Sequence, residues 1–237
     1  MKILSIDTST ECATCALVDD SQILGELSFN YKKQHSTILM PMIENLLKNV
    51  NHSIADVDGF VVSKGPGSFT GLRIGMAAIK GLSQGSQKPF ISISSLDALA
   101  NNFPYFDGYI CAMMDALRDN VYCSIYKFED GNLVNSSDYM AISINELLEF
   151  LNTKYTDSKV LFVGDGICKF KEIISSNFTS AYFAPNHLNY VRAAALGVLG
   201  LNLLKNGIED NLYTSAPIYL KKSQAEREYE ERLKNAK

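Results

Sequence analysis

The sequence has little of what metal sites, membrane anchors and secreted folds require. It contains no tryptophan and only three histidines, His35, His52 and His187, which are scattered without the spacing of metal ligands. Its five cysteines are odd in number and lie among apolar residues, which is typical of reduced, buried thiols rather than of a disulfide framework. No apolar run approaches the roughly 18 residues of a membrane span, and Asp7 interrupts the start too early for a signal peptide. We therefore expect a cytoplasmic protein with no membrane association.

Basic residues are also fewer than acidic ones. Lys and Arg number 22 against 26 for Asp and Glu, giving a net charge of −4. A protein that binds nucleic acid alone is usually basic, because phosphate neutralisation supplies most of the non-specific affinity. The hydrophobic content of 46% is nevertheless enough for a buried core. The composition indicates a globular protein that does not bind nucleic acid by itself, with room for two lobes of about 100 residues each.

The first hundred residues alternate short apolar runs with helical patterns. Strands are predicted over 2–7, 12–18, 23–29, 59–63 and 89–93, and helices over 38–50, 70–84 and 96–100. Ser36 is the predicted cap of the first helix. Three strands in a meander, followed by alternating helices and strands, predict a mixed α/β lobe.

The second half of the chain repeats the same order of strands, turns and helices. Residues 109–115 are apolar and end in Asp115, as residues 2–7 end in Asp7, and the glycine turn at Gly164 takes the place of the loop at Gly65. Strands over 121–128 and 160–163 and helices over 145–151 and 191–204 complete the repeat. The helix over 191–204 is apolar nearly all round, which predicts burial between layers.

Two such lobes in tandem predict the actin-like, sugar-kinase-like (RNase H-like, ASKHA) architecture, with a mixed sheet and flanking helices in each lobe. We place the first lobe at 1–103, the second at 104–214, and a tail at 215–237 that packs back across both. In this architecture ATP lies in the cleft between the lobes, strand-end carboxylates position a metal, and glycine turns hold the phosphates.

The nucleotide motifs are altered in this chain. Ser9 stands where a glycine would let the backbone approach a phosphate, and the turn after Asp115 has no glycine. We expect no catalytic residue, no metal and no cofactor. The two strand-end carboxylates are as consistent with bonds to turn amides as with metal ligation. The candidate site, a remnant nucleotide or anion loop, comprises Asp7, Thr8, Ser9, Gly65, Gly67, Ser68, Asp115, Gly164 and Gly166.

The most unusual stretch is SKGPGSFTGLRIG at 63–75, which follows a buried strand and opens a helix. Its backbone amides could bind an anion at the helix N-terminus. Its glycines could equally serve only a tight strand-to-helix turn, which the residues alone favour. No Lys-Ser/Thr pair ends the loop, so it is not a Walker A motif.

Small residues continue inside the following helix, where Ala77, Gly81 and Gly85 are spaced four apart, as are Gly71 and Gly75. Each helical glycine costs about 1 kcal/mol relative to alanine. A ridge of small residues lets another helix approach closely, either within the lobe or on a partner chain. The helix over 38–50 is apolar on more than one face, which leaves a face for a partner. The candidate partner surface comprises Ile38, Leu39, Met42, Gly71, Gly75, Ala78 and Gly81.

These segments together resemble the bacterial TsaB (YeaZ) family. The run at 63–75 is the most distinctive; the opening ILSIDTST at 3–10, the LMPMI stretch at 39–43 and APIYLK at 216–221 also match, so the resemblance covers most of the chain. It implies a role in placing the threonylcarbamoyl group on the adenosine next to the anticodon of ANN-reading tRNAs.

The resemblance also implies specific partners. It suggests a non-catalytic scaffold or activator that pairs with the catalytic paralogue TsaD through the first two helices, with the ATPase TsaE joining. It further implies self-association through the same surface when the chain is alone, and contact with tRNA only through the complex.

TsaD carries a metal through histidines on the segment after the first lobe's last strand, and the equivalent stretch here, ISSLDALA at 93–100, has none. We therefore expect no enzyme activity. The alternative is an active ATP-dependent kinase-like transferase or a metallopeptidase of the glycoprotease (M22-like) type.

Overall fold

The computed structural model describes residues 1–31 and 34–221. The first sheet has the order β3-β2-β1-β4-β5, antiparallel between β1, β2 and β3 and parallel between β1, β4 and β5. Its strands are β1 (Ile3–Asp7), β2 (Ala13–Val18), β3 (Ile23–Phe29), β4 (Gly59–Gly65) and β5 (Phe90–Ser94), and its helices are α1 (His35–Asn49), α2 (Phe69–Ser86) and α3 (Ser95–Ala100).

The second sheet has the order β11-β10-β6-β7-β8, with β9 also paired to β7. Its strands are β6 (Tyr109–Asp115), β7 (Asn120–Glu129), β8 (Asn132–Asn135), β9 (Met140–Ser143), β10 (Val160–Val163) and β11 (Ala181–Phe183); the helices are α4 (Ile144–Lys154), α5 (Ile167–Asn177) and α6 (Ala193–Lys205). β6, β7, β8, β10 and β11 repeat the positions of β1 to β5. The predicted α/β class, with a mixed sheet and flanking helices in each of two tandem lobes, is confirmed.

Helices cover both faces of the first sheet, which explains why β1 and β2 are buried along their whole length. Helices α1 and α2 pack on one face, and α6 packs on the other although the second half of the chain supplies it. Close approach requires small residues on α6, because a Cβ at Gly200 would lie 2.2 Å from a methyl carbon of Val61. The helix predicted to be buried between layers therefore covers the sheet of the first lobe.

Some local predictions were wrong or missed elements. Helix α1 begins at His35, and within the described chain no side chain caps it, so Ser36 is not its cap. The short strands β8, β9 and β11 were not predicted. The tail residues 222–237 lie outside the described residues. Within the described part of the chain, no helix combines the length and apolar character needed to cross a bilayer.

Candidate functional site

The two lobes face each other across a cleft of about 730 Å³. Strands β1 and β4 are parallel, as are β6 and β10, so the loops that follow them meet at the cleft. Of the predicted remnant site, Ser9, Gly67, Ser68 and Asp115 line this cleft. The other five predicted residues lie behind its wall, namely Asp7, Thr8, Gly65, Gly164 and Gly166.

The loop between β1 and β2 lies directly on the N-terminus of α2. The amide of Ser68 donates a hydrogen bond to the Ser9 carbonyl oxygen at 2.7 Å, while the Ser68 hydroxyl accepts from the Gly71 amide at 3.2 Å. A Cβ at Gly67 would lie 2.3 Å from that same Ser9 carbonyl oxygen. The chain's own carbonyl therefore engages the amide of the helix cap, and glycine at position 67 is required for this close approach. This geometry favours the tight-turn interpretation.

The first two glycines of α2 serve the same contact. A Cβ at Gly71 would lie 2.0 Å from the Thr8 carbonyl oxygen, and one at Gly75 would lie 2.4 Å from the Thr8 hydroxyl oxygen. That hydroxyl also donates to the Gly71 carbonyl at 2.7 Å. Both glycines therefore make room for Thr8 inside the lobe rather than for a partner helix. Leu39 and Met42 are likewise in the core, which corrects the assignment of these four residues to a surface.

The remaining residues of the predicted partner surface are accessible. Ile38 and Ala78 are half-buried, and Gly81 is exposed. Within the described part of the chain, no atom lies within 4 Å of a Cβ placed at Gly81 or at Gly85. The outer end of α2 thus has small residues for which its own lobe provides no steric reason.

Asp7 is fully buried at the end of β1. Its Oδ1 accepts a hydrogen bond from the Ser9 amide at 3.2 Å. Its Oδ2 and the hydroxyls of Ser9 and Ser63 are buried without a hydrogen-bond partner among the described residues. Burial raises the pKa of Asp7 to about 6, and the nearby hydroxyls of Ser63 and Ser9 offset part of that rise. The pKa of the Asp7 carboxyl group is therefore close to neutral pH.

A second carboxylate, the half-buried Asp165, was missed by the sequence analysis. It lies between Gly164 and Gly166 directly after β10, and its Oδ1 accepts a hydrogen bond from the Asp115 amide at 3.0 Å. Burial raises the pKa of Asp165 to about 6, against the lowering effect of that hydrogen bond, and the charge of Asp115 adds to the rise. The sequence feature that could have identified Asp165 is an acidic residue between two glycines directly after an apolar strand.

Asp115 repeats the local geometry of Asp7. Its Oδ1 accepts from the Leu117 amide at 2.9 Å, two residues on, as Asp7 accepts from Ser9. Lys169 lies 3.9 Å from the Asp115 carboxylate and 3.2 Å from that of Asp119. In residues 1–31 and 34–221, no three His, Cys, Asp or Glu side chains are placed to hold a metal. The carboxylates therefore act here as turn acceptors.

Comparison with known proteins identifies the family. A family model described as TsaD: tRNA N6-adenosine threonylcarbamoyltransferase matches residues 22–229. The TsaB protein of Bacillus subtilis (strain 168) is 32% identical over 235 residues, covering 99% of this chain and 100% of that protein. The chain belongs to the TsaB family. The resemblance seen in the sequence is confirmed, and the match to the TsaD model agrees with TsaB being a paralogue of TsaD.

Other TsaB relatives agree. The TsaB protein of Haemophilus influenzae is 28% identical over 209 residues, covering 84% of this chain and 87% of that protein. The solved structure of YeaZ from Pseudomonas aeruginosa has a TM-score of 0.77 at 23% identity, covering 92% of this chain and 99% of that one. The structural likeness supports the TsaB fold along nearly the whole chain.

The β6–β7 turn at the cleft of this TsaB-family chain adopts a glycine-like backbone without glycine. Leu117, Arg118 and Asp119 have φ values of 60°, 50° and 57°. The left-handed conformation costs a non-glycine residue roughly 1 kcal/mol or more. We therefore expect Arg118→Gly to raise the unfolding free energy by about 0.5–1 kcal/mol, allowing for the extra freedom that glycine gives the unfolded chain.

Urea unfolding monitored by circular dichroism measures this change. Ala116→Gly is the matched control, because Ala116 is in the same turn but outside the left-handed region. The control should lower stability. Equal losses in the two variants would show that the turn carries no such strain.

Proposed function

We propose that this chain is a non-catalytic scaffold or activator that pairs with a TsaD-type catalytic subunit, with TsaE joining the complex. Family membership assigns the chain to tRNA threonylcarbamoyladenosine biosynthesis. The proposed complex modifies the adenosine next to the anticodon of ANN-reading tRNAs. The chain contacts tRNA only through the complex, which agrees with its net charge of −4.

The segment equivalent to the metal-binding histidines of TsaD supports the non-catalytic role. Here it forms the end of β5 and helix α3, and its acidic residue is engaged structurally. The Asp97 carboxylate accepts hydrogen bonds from the hydroxyls of Tyr126 and Tyr139, both at 2.8 Å. Burial raises the pKa of Asp97, while the two tyrosine hydroxyls lower it. The segment ties the first lobe to the second sheet and supplies no metal-binding side chain to replace a histidine.

The exposed glycines of α2 are the observation that carries the pairing proposal. Gly81 and Gly85 together cost about 2 kcal/mol relative to alanine in a helix, and the described residues offer no neighbour that requires them. Ala77 precedes Gly81 by four residues and is also exposed, so the three small residues share a face. On the adjacent helix α1, Met40 is 48% exposed. A helix of the partner packed against this face would offset the glycine cost by close backbone contact.

Light scattering with the TsaD of the same organism tests the pairing. We expect Gly81→Leu to weaken the heterodimer at least about tenfold, or about 1.4 kcal/mol, because the leucine side chain would hold the partner helix away. The fold should be unaffected, since the added side chain enters open space. The same variant should lose self-association. Ser176→Leu, on the exposed side of α5 in the other lobe, is the matched control. A heterodimer of undiminished affinity would refute the proposed surface.

The enzyme alternative has a separate test. We expect the purified chain alone to bind no stoichiometric metal and to hydrolyse no ATP. Reconstituted tRNA modification with TsaD and TsaE should require the chain. Stoichiometric metal together with ATP turnover that Asp7→Ala abolishes would establish an active enzyme instead.

A further inference from the structure

Residues 215–221, named here the strap, run from the first lobe to the second along the cleft. At the first lobe, the Lys80 ammonium donates to the Ser215 carbonyl at 2.6 Å. The Ile218 amide then donates to the Lys64 carbonyl at 2.7 Å, which places the strap backbone beside the end of β4. A Cβ at Gly65 would lie 3.1 Å from the Ile218 carbonyl oxygen, so glycine at that position lets the strap approach.

An aromatic and cationic stack fixes the middle of the strap. The Tyr219 ring lies 4.6 Å from the ring of Phe69 in the first turn of α2. The Arg73 guanidinium lies 3.9 Å from the centre of the Phe69 ring, and its Nε donates to the Tyr219 hydroxyl at 2.9 Å. Both interactions of Arg73 require its planar guanidinium, which stacks and donates at once.

The far end of the strap reaches the second lobe. The Lys221 ammonium donates to the Ala116 carbonyl at 3.4 Å and lies 5.7 Å from the Tyr122 ring. Ala116 follows β6, and Tyr122 is on β7. Residues 218–221 form one wall of the cleft. The strap therefore bridges the two lobes along one wall of the cleft.

Other contacts, made by residues outside the strap, also join the lobes. Glu26 on β3 pairs with Arg192, which precedes α6, and its Oε1 also accepts from the Ala194 amide at 3.1 Å. Asp97 on α3 accepts from Tyr126 and Tyr139 in the second lobe. These part-buried bonds can act as a hinge, whereas Tyr219 in the middle of the strap is 41% exposed. Segments with few, exposed bonds open locally at a lower free energy than the core.

We propose that the strap is a latch that sets the opening of the interlobe cleft, with the stack of Phe69, Arg73 and Tyr219 as its anchor. While the strap is docked, the lobes are held at one separation and the cleft has a closed wall. When it is released, the lobes separate about the contacts made by Glu26 and Asp97. The latch is a property of the single chain and does not depend on the proposed partner.

Spin-label distances between the lobes test the latch in the full chain. Labels at Gln84→Cys on α2 and Ser176→Cys on α5 report the separation, in a Cys168→Ser background that removes the exposed native thiol. The remaining cysteines are buried, which protects them from the label. We compare the parent with Tyr219→Ala, which removes the stack, and with Ile218→Pro, which removes the amide that donates to Lys64.

The parent should give one narrow distance distribution, and both strap variants should give broader distributions shifted to longer distances. Tyr213→Ala is the control, since Tyr213 lies just before the strap and is 83% exposed; it should match the parent. Amide exchange at Ile218, which donates to the Lys64 carbonyl in the parent, verifies that Tyr219→Ala has released the strap; in Ile218→Pro that bond is removed directly. Released straps with unchanged distances would overturn the proposal. If Ile218→Pro does not fold, Tyr219→Ala decides alone.

Discussion

Gly71→Ala is expected to lower the unfolding free energy by about 3 kcal/mol, in the upper range for overpacking of a core. The added methyl carbon would lie 2.0 Å from the Thr8 carbonyl oxygen, a backbone atom that cannot rotate away. Relief would require the β1–β2 loop to move off the N-terminus of α2, which would break the bond between the Ser68 amide and the Ser9 carbonyl. The intrinsic helix preference for alanine offsets only about 1 kcal/mol of this cost.

Gly81→Ala is the matched control, ten residues further along the same helix. Its methyl group enters open space within the described chain, so the variant should gain up to about 1 kcal/mol. Urea unfolding of the isolated chain should give a lower unfolding free energy than the parent for Gly71→Ala and a higher one for Gly81→Ala. A Gly71→Ala variant as stable as Gly81→Ala would mean that the loop is not packed on the helix as described. The pair also separates the glycines that serve the fold from those proposed to serve a partner.

Asp7→Asn is expected to raise the unfolding free energy at pH 7.5 by about 3 kcal/mol. Burial raises the pKa of Asp7 from 3.8 to about 6 in the folded protein. At pH 7.5 the folded state must therefore keep a buried carboxylate charged, with one oxygen lacking a hydrogen-bond partner among the described residues. An asparagine has no charge, and its side-chain oxygen can still accept from the Ser9 amide.

The pH dependence has a definite direction. Between pH 3.8 and about 6 the folded state binds more protons at Asp7 than the unfolded state does. The contribution of Asp7 to the unfolding free energy therefore falls as the pH rises through that window. Above about pH 6 the full cost of keeping the buried carboxylate charged remains. The advantage of Asp7→Asn should disappear near pH 4.

Urea unfolding of both proteins at pH 4, 5, 6 and 7.5 measures the difference. Asp19→Asn is the control, because Asp19 is an exposed turn carboxylate whose pKa is lowered by hydrogen bonds from Ser21. That variant should not gain stability at pH 7.5. A constant difference between Asp7→Asn and the parent at all four pH values would show that Asp7 does not titrate in this window.

Two intramolecular contacts shape the site. The Ser9 carbonyl accepts from the Ser68 amide at the start of α2, and the strap forms a wall of the cleft. Both features agree with the proposed scaffold role, in which the outer face of α2 rather than the cleft carries the function.

Much of the fold follows from local pattern. Apolar runs of strand length and the return of an acidic strand end at Asp115 were enough to predict two mixed lobes, because strand and helix periods are properties of short segments. The SKGPGSFTGLRIG run was enough to identify the family. Short, poorly alternating strands such as β8 and β11 were missed, because their pairing comes from neighbouring strands rather than from their own residues.

The sequence by itself predicted the two-lobed architecture, carried the motifs that resemble the family, and showed that residues 93–100 contain no histidine. They could not distinguish Gly75 from Gly81, since both are glycines at helical spacing. Only the tertiary structure decided that Thr8 requires the first and that open space surrounds the second. It also decided that Asp165 lies beside Asp115 and that Tyr219 reaches Arg73. These contacts join residues 50 and 146 positions apart, and no local pattern encodes which distant side chain will be the neighbour.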